Sequence, residues 1–132
     1  MIEKKVDYVQ GNAFQKSRAF SPAVVVSGGQ TVWLAGQTAT VDAQGHDICG
    51  DFEKQVDAIF ALIDQTLRTL GGSLSDLVSM TVFINDTRYG DLFVQKRKEI
   101  FKSGHFPASA LITVSQFARP GMMLEIQSVA VI

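Results

Sequence analysis

One acidic side chain near the C-terminal end of the chain stands in an otherwise apolar run. Glu125 lies between Leu124 and Ile126, in a stretch that alternates as a β-strand does. A carboxylate in such surroundings can exchange protons with a reacting group or orient a water molecule for attack. The alternative is a surface glutamate on the solvent face of a terminal strand, and the residue pattern alone leaves both interpretations open.

A glycine and a glutamine end one of the predicted strands. Gly36 has no side chain, so a ligand can approach the backbone there and accept hydrogen bonds from neighbouring N–H groups. Gln37 follows it directly. The alternative is a turn that only ends the strand.

Other reactive side chains form no recognised catalytic or metal-binding pattern. Ser109, His105 and Glu125 can be written as a triad, but the nucleophile-elbow sequence is missing and His105 stands only four residues before Ser109. His46 and His105 have no histidine or carboxylate three or four residues after them, so we expect no metal site. Cys49 is the only cysteine, which excludes an intrachain disulfide and is consistent with a cytoplasmic location.

Two amphipathic helices are predicted to position these residues. Residues 51–70 carry apolar side chains at three- and four-residue steps, with Asp51 as the N-terminal cap and Gly71-Gly72 after the last turn. Residues 88–102 are predicted to form the second helix, in which Arg97 falls on the apolar stripe.

Five strands complete the predicted fold. Residues 23–26 and 31–35 are predicted to form a β-hairpin around Gly28-Gly29. The other strands are predicted at residues 78–84, 106–114 and 120–131, and weak alternation at residues 6–9 suggests an extra edge strand. The order β-β-α-β-α-β-β indicates an α+β fold with both helices on one face of the sheet. The other face stays uncovered, and self-association is the economical way to bury it.

The two C-terminal strands closely resemble the signature of the YjgF/RidA (Rid) family. They contain Phe106-Pro107-Ala108-Ser109-Ala110-Leu111 and then Pro120-Gly121-Met122-Met123-Leu124-Glu125. Further family-like segments follow in the family's order at residues 34–37, 50–55, 70–78 and 81–86. The resemblance implies a single chorismate-mutase-like, RidA-like α+β domain over residues 1–132 that forms a homotrimer, with clefts between the subunits.

Many members of this family hydrolyse reactive enamines and imines and release ammonia. The resemblance implies the same reaction here, on a small-molecule enamine or imine and without a cofactor. It implies that Glu125 positions the attacking water and that Ser109 binds the polar head of the substrate. It also places Gly36 and Gln37 in the wall of the cleft.

The chain departs from the deaminating members at three positions of this implied cleft. Ser109 stands where they carry an arginine that binds the substrate carboxylate, Phe20 where many carry a tyrosine, and Leu111 where a cysteine or another small residue is common. A serine offers one neutral donor in place of a charged two-pronged clamp, which weakens binding of a 2-imino acid about tenfold to a hundredfold unless another group substitutes. The chain therefore resembles the arginine-lacking branches of the family.

Three other arginines are candidates to replace the missing cation. Arg119 lies in the loop before the last strand, Arg18 in the N-terminal loop, and Arg97 on the second helix. Each also has a structural explanation, in which Arg97 snorkels or pairs with an acid and the other two are solvated. Arg119 is included among the predicted substrate-binding residues.

Composition limits the classes of partner and function. The 132 residues carry a formal net charge of −1, which gives no attraction to nucleic acid or to an anionic membrane. No stretch approaches the roughly 20 apolar residues of a membrane span. The leading hypothesis is thus an enamine/imine hydrolase, and the alternative is a non-catalytic metabolite-binding or regulatory trimer of the same family. Ribonuclease activity, a label that some members carry, is disfavoured because a basic and aromatic patch is missing.

Overall fold

Two long helices pack on one face of a four-stranded sheet in the computed structural model, which describes residues 2–132. The strands are β1 (Lys5–Tyr8), β2 (Val24–Ser27), β3 (Thr31–Gln37), β4 (Leu77–Ile84), β5 (Ala108–Thr113) and β6 (Leu124–Val131). The helices are α1 (Ala13–Ser17), α2 (Phe52–Thr69) and α3 (Gly90–Ile100), with one-turn 3-10 helices at Leu74–Asp76 and Thr87–Tyr89. The predicted α+β class, with α2 and α3 on one face of the sheet, is confirmed.

Helix α2 follows directly from its sequence. The Asp51 carboxylate accepts a hydrogen bond from the Lys54 N–H at 3.1 Å and closes the N-terminus. Gly71 adopts a φ of 86° just beyond the last turn, as a helix-ending glycine does. The buried side chains of α2 include six residues of the predicted apolar stripe, namely Phe52, Val56, Ile59, Phe60, Ile63 and Leu67. Leu70, the last residue predicted for that stripe, is 51% exposed because the helix has ended before it. Among the helices of residues 2–132, none is long and apolar enough to cross a membrane.

The register of the sheet decides which face each site residue occupies. The strand order is β3-β6-β4-β5, with β5 parallel to β4 and the other neighbours antiparallel. Met80 and Val82 of β4 are buried under the helices, and Phe83 between its buried neighbours lies on the other face. Ser109 is the register partner of Met80, and Glu125 is the register partner of Phe83. Ser109 therefore lies on the helix-covered face and Glu125 on the uncovered one.

The uncovered face exposes large apolar side chains. Trp33 of β3 is 79% exposed, and Ile112 of β5 is 42% exposed. Trp33 is the register partner of Val129, which lies next to Ser79 of β4. This arrangement agrees with the prediction that one face of the sheet is left uncovered by the helices. The homotrimer itself stays a prediction.

The predicted β-hairpin between β2 and β3 is wrong. The turn lies where the sequence places it, since Gly28 and Gly29 adopt φ angles of 70° and 72°. However, β2 pairs with β1, and β3 pairs with β6. The Gln30 N–H donates to the Ile132 carbonyl at 2.7 Å and so starts the β3–β6 ladder. Because β6 has eight residues and β2 has four, β6 offers β3 the longer ladder, although it is distant in sequence.

Two short elements precede β2. Strand β1 confirms the suggested edge strand, but α1 was not predicted. The Asn12 side chain accepts from the Gln15 N–H, and the Gln15 side chain accepts from the Asn12 N–H, each at 2.9 Å. This reciprocal pair is a capping box, and the Asn-x-x-Gln spacing is the sequence signal for α1.

Candidate functional site

Three of the predicted site residues meet in one cleft between α1, α3 and β5. Phe20, Ser109 and Leu111 all line this cleft, which has a volume of about 290 Å³. The other lining residues are Phe14, Arg18, Val94 and Arg97. The walls are thus mostly apolar, and the polar groups are two arginines and one serine.

The guanidinium of Arg97 lies directly behind Ser109. Its Nη1 donates to the Ser109 Oγ at 2.7 Å, and its Nη2 donates to the Arg18 carbonyl at 3.0 Å. The guanidinium carbon also lies 5.1 Å from the centre of the Phe93 ring, within the range of a cation–π contact. Arg97 is only 2% exposed, and within residues 2–132 its buried Nε has no hydrogen-bond partner.

The charge on Arg97 has no anionic counterpart in the described part of the chain. None of the ion pairs formed within residues 2–132 includes it. Burial, and secondly the positive charge of Arg18, lower the pKa of Arg97 to about 10, so the group stays protonated at neutral pH. The expectation that Arg97 snorkels or pairs with an acid is therefore wrong. The surrounding apolar side chains hold the head group inside, and its hydrogen bonds go to neutral oxygens.

The second arginine of the cleft is less buried. The Arg18 Nη1 donates to the Asp91 carboxylate at 2.6 Å, and the Asp91 side chain is 92% exposed. Asp91 is not among the residues that line the cleft. Arg18 therefore has an acidic partner at the rim of the cleft, whereas Arg97 has none within residues 2–132.

The segment after α1 is fastened to the start of β5. The Ser21 N–H donates to the Pro107 carbonyl at 3.1 Å. Ala19 is fully buried and adopts a φ of 60°, a left-handed conformation that costs about 1–2 kcal/mol for a residue with a side chain. This strained turn holds the carbonyl of Arg18 where Arg97 binds it.

A second group of predicted site residues meets on the uncovered face. A Cβ atom added at Gly36 would lie 2.8 Å from the Glu125 Oε2 and 3.0 Å from its Cδ, so the carboxylate packs directly over the glycine. Gln37 is the register partner of Ile126, which is buried beside Val82, so Gln37 lies on the helix-covered face at the end of β3 and does not join this contact. No ion pair formed within residues 2–132 includes Glu125. The carboxylate is thus available to water or to a ligand.

The two groups do not meet within one chain. Ser109 and Glu125 lie on opposite faces of the sheet, on strands that are separated by β4. Two strand spacings separate them by roughly 10 Å across the sheet. Three register steps, from Met80 to Phe83, add about 10 Å along it. A single chain therefore brings together Phe20, Ser109 and Leu111, and separately Gly36 and Glu125. The role of Gln37 in the wall of the cleft stays a prediction.

Arg119 belongs to neither group. It lines another hollow of about 330 Å³ in the β5–β6 loop, together with Asn85 and Met122. It is not among the residues that line the cleft of Ser109. Its role as a substrate-binding residue stays a prediction.

The histidines and the cysteine lie outside both groups. The His105 ring stacks on Tyr8 at 4.8 Å between ring centres, and the Ser109 hydroxyl is occupied by Arg97, so the triad is not assembled. The His46 Nδ1 lies 3.1 Å from the Asp42 carboxylate. Within residues 2–132, no cluster of three histidine, cysteine or acidic side chains is placed to hold a metal ion.

Comparison with known proteins gives a consistent family. The family described as Endoribonuclease L-PSP matches residues 10–132. A 2-iminobutanoate/2-iminopropanoate deaminase of Dermatophagoides farinae is 27% identical over 113 residues, which cover 86% of this chain and 85% of that protein. At this identity it supports the family and not a particular activity.

Solved structures agree with the fold. A protein of unknown function of the Rid family from Yersinia pestis has a TM-score of 0.83 at 21% identity and covers 99% of this chain and 100% of its own. A YjgF-family member from Mycobacterium tuberculosis has a TM-score of 0.63 at 22% identity, with 97% and 100% covered. Because the family match spans nearly the whole sequence, the chain belongs to the endoribonuclease L-PSP family, the YjgF/RidA (Rid) family that its motifs indicated.

Proposed function

We propose that the chain is an enamine/imine deaminase-like hydrolase, which releases ammonia from a reactive small molecule at a cleft between the subunits of a homotrimer. The observation that carries this proposal is the Glu125 carboxylate, which lies over Gly36 and takes part in none of the ion pairs within residues 2–132. The name of the mite relative supports the same reaction class.

The reaction needs one group that handles protons. Water adds to the imine carbon, and Glu125 accepts a proton from that water as the carbon–oxygen bond forms. The carboxylic acid then returns the proton to the nitrogen. The product of this addition is a carbinolamine, which carries a hydroxyl and an amino group on one carbon. Glu125 next takes the hydroxyl proton and passes it to the amino nitrogen as the carbon–nitrogen bond breaks, so ammonia leaves and a carbonyl compound remains. The reaction is a hydrolysis and needs no oxidant or reductant.

A second copy of the chain completes the site. Glu125 and the cleft of Ser109 lie on opposite faces of one sheet, so they act on one substrate only if different copies contribute them. The exposed Trp33 and Ile112 give the uncovered face an apolar surface for such a contact. Strand β5 is an edge strand, so the cleft beside it lies at the margin of the sheet, within reach of a neighbouring copy.

The test is ammonia release from imines that are generated in the assay from several amino acids. We expect Glu125→Gln to lower the rate by about 10²–10⁴-fold, the usual contribution of a general acid–base group. Glu99→Gln, at an exposed position of α3, is the matched control and should retain the parent rate. If no substrate is hydrolysed faster than in buffer, or if Glu125→Gln equals the parent, the chain is not a deaminase of this kind.

The alternative is a non-catalytic metabolite-binding or regulatory trimer. The observation that favours it is Ser109, a neutral residue at the position where the deaminating members carry arginine. This alternative predicts that a ligand raises the melting temperature without being consumed. Ligand-dependent stabilisation in the absence of ammonia release, with Glu125→Gln stabilised equally, would select it over the hydrolase.

A further inference from the structure

We propose that Arg97 and Arg18 form the carboxylate-binding end of the cleft, and that the cleft takes monocarboxylates with a large apolar side chain. The inference rests on the proposed function and deepens it, because it names the substrate class. The substrates are 2-imino acids derived from large apolar amino acids, and the products are the corresponding 2-oxo acids.

The first reason is the unbalanced charge of Arg97. A buried charge in a protein is normally paired with an opposite charge. Arg97 is 2% exposed, but its two hydrogen bonds go to the neutral oxygens of Ser109 and Arg18, and its Nε has none within residues 2–132. In the part of the chain that the structure describes, no acidic residue lines the cleft. A carboxylate bound there supplies the missing negative charge.

The second reason is that Arg18 can change its partner. Its side chain is 28% exposed, and its ion pair with Asp91 is open to water because the Asp91 side chain is 92% exposed. Such exposed pairs contribute little to stability, so a ligand carboxylate can replace Asp91 without a large loss. Arg18 then closes the outer side of the ligand, while Arg97 lies at the inner side.

The third reason is the lining around the two arginines. The apolar walls come from Phe14, Phe20, Val94 and Leu111, and they line the rest of this open cleft of about 290 Å³. A Cβ atom placed at Gly90 would lie 3.7 Å from the Leu111 Cδ2 and 3.8 Å from the Arg18 Nη2. The guanidinium of Arg18 and the apolar side chain of Leu111 therefore lie side by side next to Gly90. A ligand with a carboxylate and a leucine- or phenylalanine-sized group matches this arrangement.

The test measures binding by titration calorimetry, with no turnover. The probes are 3-phenylpropanoate and its uncharged amide, which differ in charge, and 4-methyl-2-oxopentanoate and pyruvate, which differ in size. We expect the amide to bind at least tenfold more weakly than the acid. We expect pyruvate to bind at least about tenfold more weakly than the larger oxo acid, since each buried methylene strengthens binding about fourfold.

The variants separate a charge effect from a folding effect. Arg97→Met and Arg18→Gln should each weaken binding of 3-phenylpropanoate about tenfold to a hundredfold, as the loss of a charged hydrogen bond does. Arg18→Gln changes a partly exposed side chain, so it remains informative if Arg97→Met does not fold. Arg68→Met, which removes an arginine from an exposed pair on α2, is the control and should bind like the parent.

Two results would overturn the inference: equal binding of the acid and the amide, or parent-like binding by Arg18→Gln. Failure of the proposed function looks different. If oxo acids bind through the two arginines but no imine releases ammonia, the carboxylate-binding site is supported and the hydrolase is excluded. Ammonia release from uncharged enamines, without binding of oxo acids, would support the hydrolase and exclude the carboxylate-binding site.

Discussion

The cleft behind Ser109 and the Glu125–Gly36 contact occupy the two faces of one sheet, and they are built differently. The cleft depends on hydrogen bonds between residues that are 12 and 79 positions apart, and it buries an arginine for which residues 2–132 supply no counter-charge. The Glu125–Gly36 contact needs only that β3 lies beside β6. Because the two regions share no contact, we expect a substitution in one of them to leave the other intact.

The largest expected effect is on the kinetic constants kcat and KM, and it shows whether the two regions have separate roles. Glu125→Gln should lower kcat by about 10²–10⁴-fold and change KM little. Arg97→Met should raise KM about tenfold to a hundredfold and keep most of kcat, because it removes binding that the substrate and the transition state share. Steady-state ammonia release measures both. Equal losses of kcat in the two variants would show that the regions act as one unit.

The next prediction concerns only the uncovered face. In Gly36→Ala the new methyl would lie 2.8 Å from the Glu125 Oε2, so the carboxylate must turn away. Because the obstructing atom is the end of a flexible side chain, we expect kcat to fall about tenfold to a hundredfold with little change in melting temperature. In a Glu125→Ala background the same substitution should have no further effect on kcat. A further loss there would mean that Gly36 acts without Glu125.

A third prediction tests the helix-side cleft through stability. Ser109→Arg places a second guanidinium beside the Nη1 of Arg97, which now lies 2.7 Å from the serine hydroxyl. We expect the free energy of unfolding in urea to fall by on the order of 2–3 kcal/mol, because two buried cations share one site. The double variant Arg97→Met/Ser109→Arg has one cation again and should recover most of that loss. Ser27→Arg, at an exposed position of β2, is the control.

The smallest expected effect is a pH dependence of ligand affinity, which should arise in the cleft of Ser109 and not at Glu125. Burial lowers the pKa of Arg97 to about 10, so the group loses its proton and its charge as the pH rises through that value. The affinity for 3-phenylpropanoate should therefore stay constant from pH 7 to 9 and fall above it. Calorimetry on Arg97→Met should give no such fall. A decline at the same pH in both proteins would assign it to another group.

Much of the fold could be predicted because it depends on local patterns. The three- and four-residue spacing of apolar side chains predicted α2, and the alternation around Val82 predicted β4. Phe20, Ser109 and Leu111, which the family motifs singled out, line one cleft of the single chain. Their role in an intersubunit site stays a prediction. The hairpin prediction was wrong because a strand can pair with any other strand of the chain, and β6 gives β3 a longer ladder than β2 does.

The sequence by itself determined the helices, most of the strands, the family, and the presence of an arginine on the buried stripe of α3. Only the tertiary structure decided that Arg97 binds Ser109 and Arg18, and that Ser109 and Glu125 lie on opposite faces. The physical reason is range. Periodicity reports which side of an element is buried, whereas the partner of a buried side chain depends on how distant elements pack and in which register their strands align.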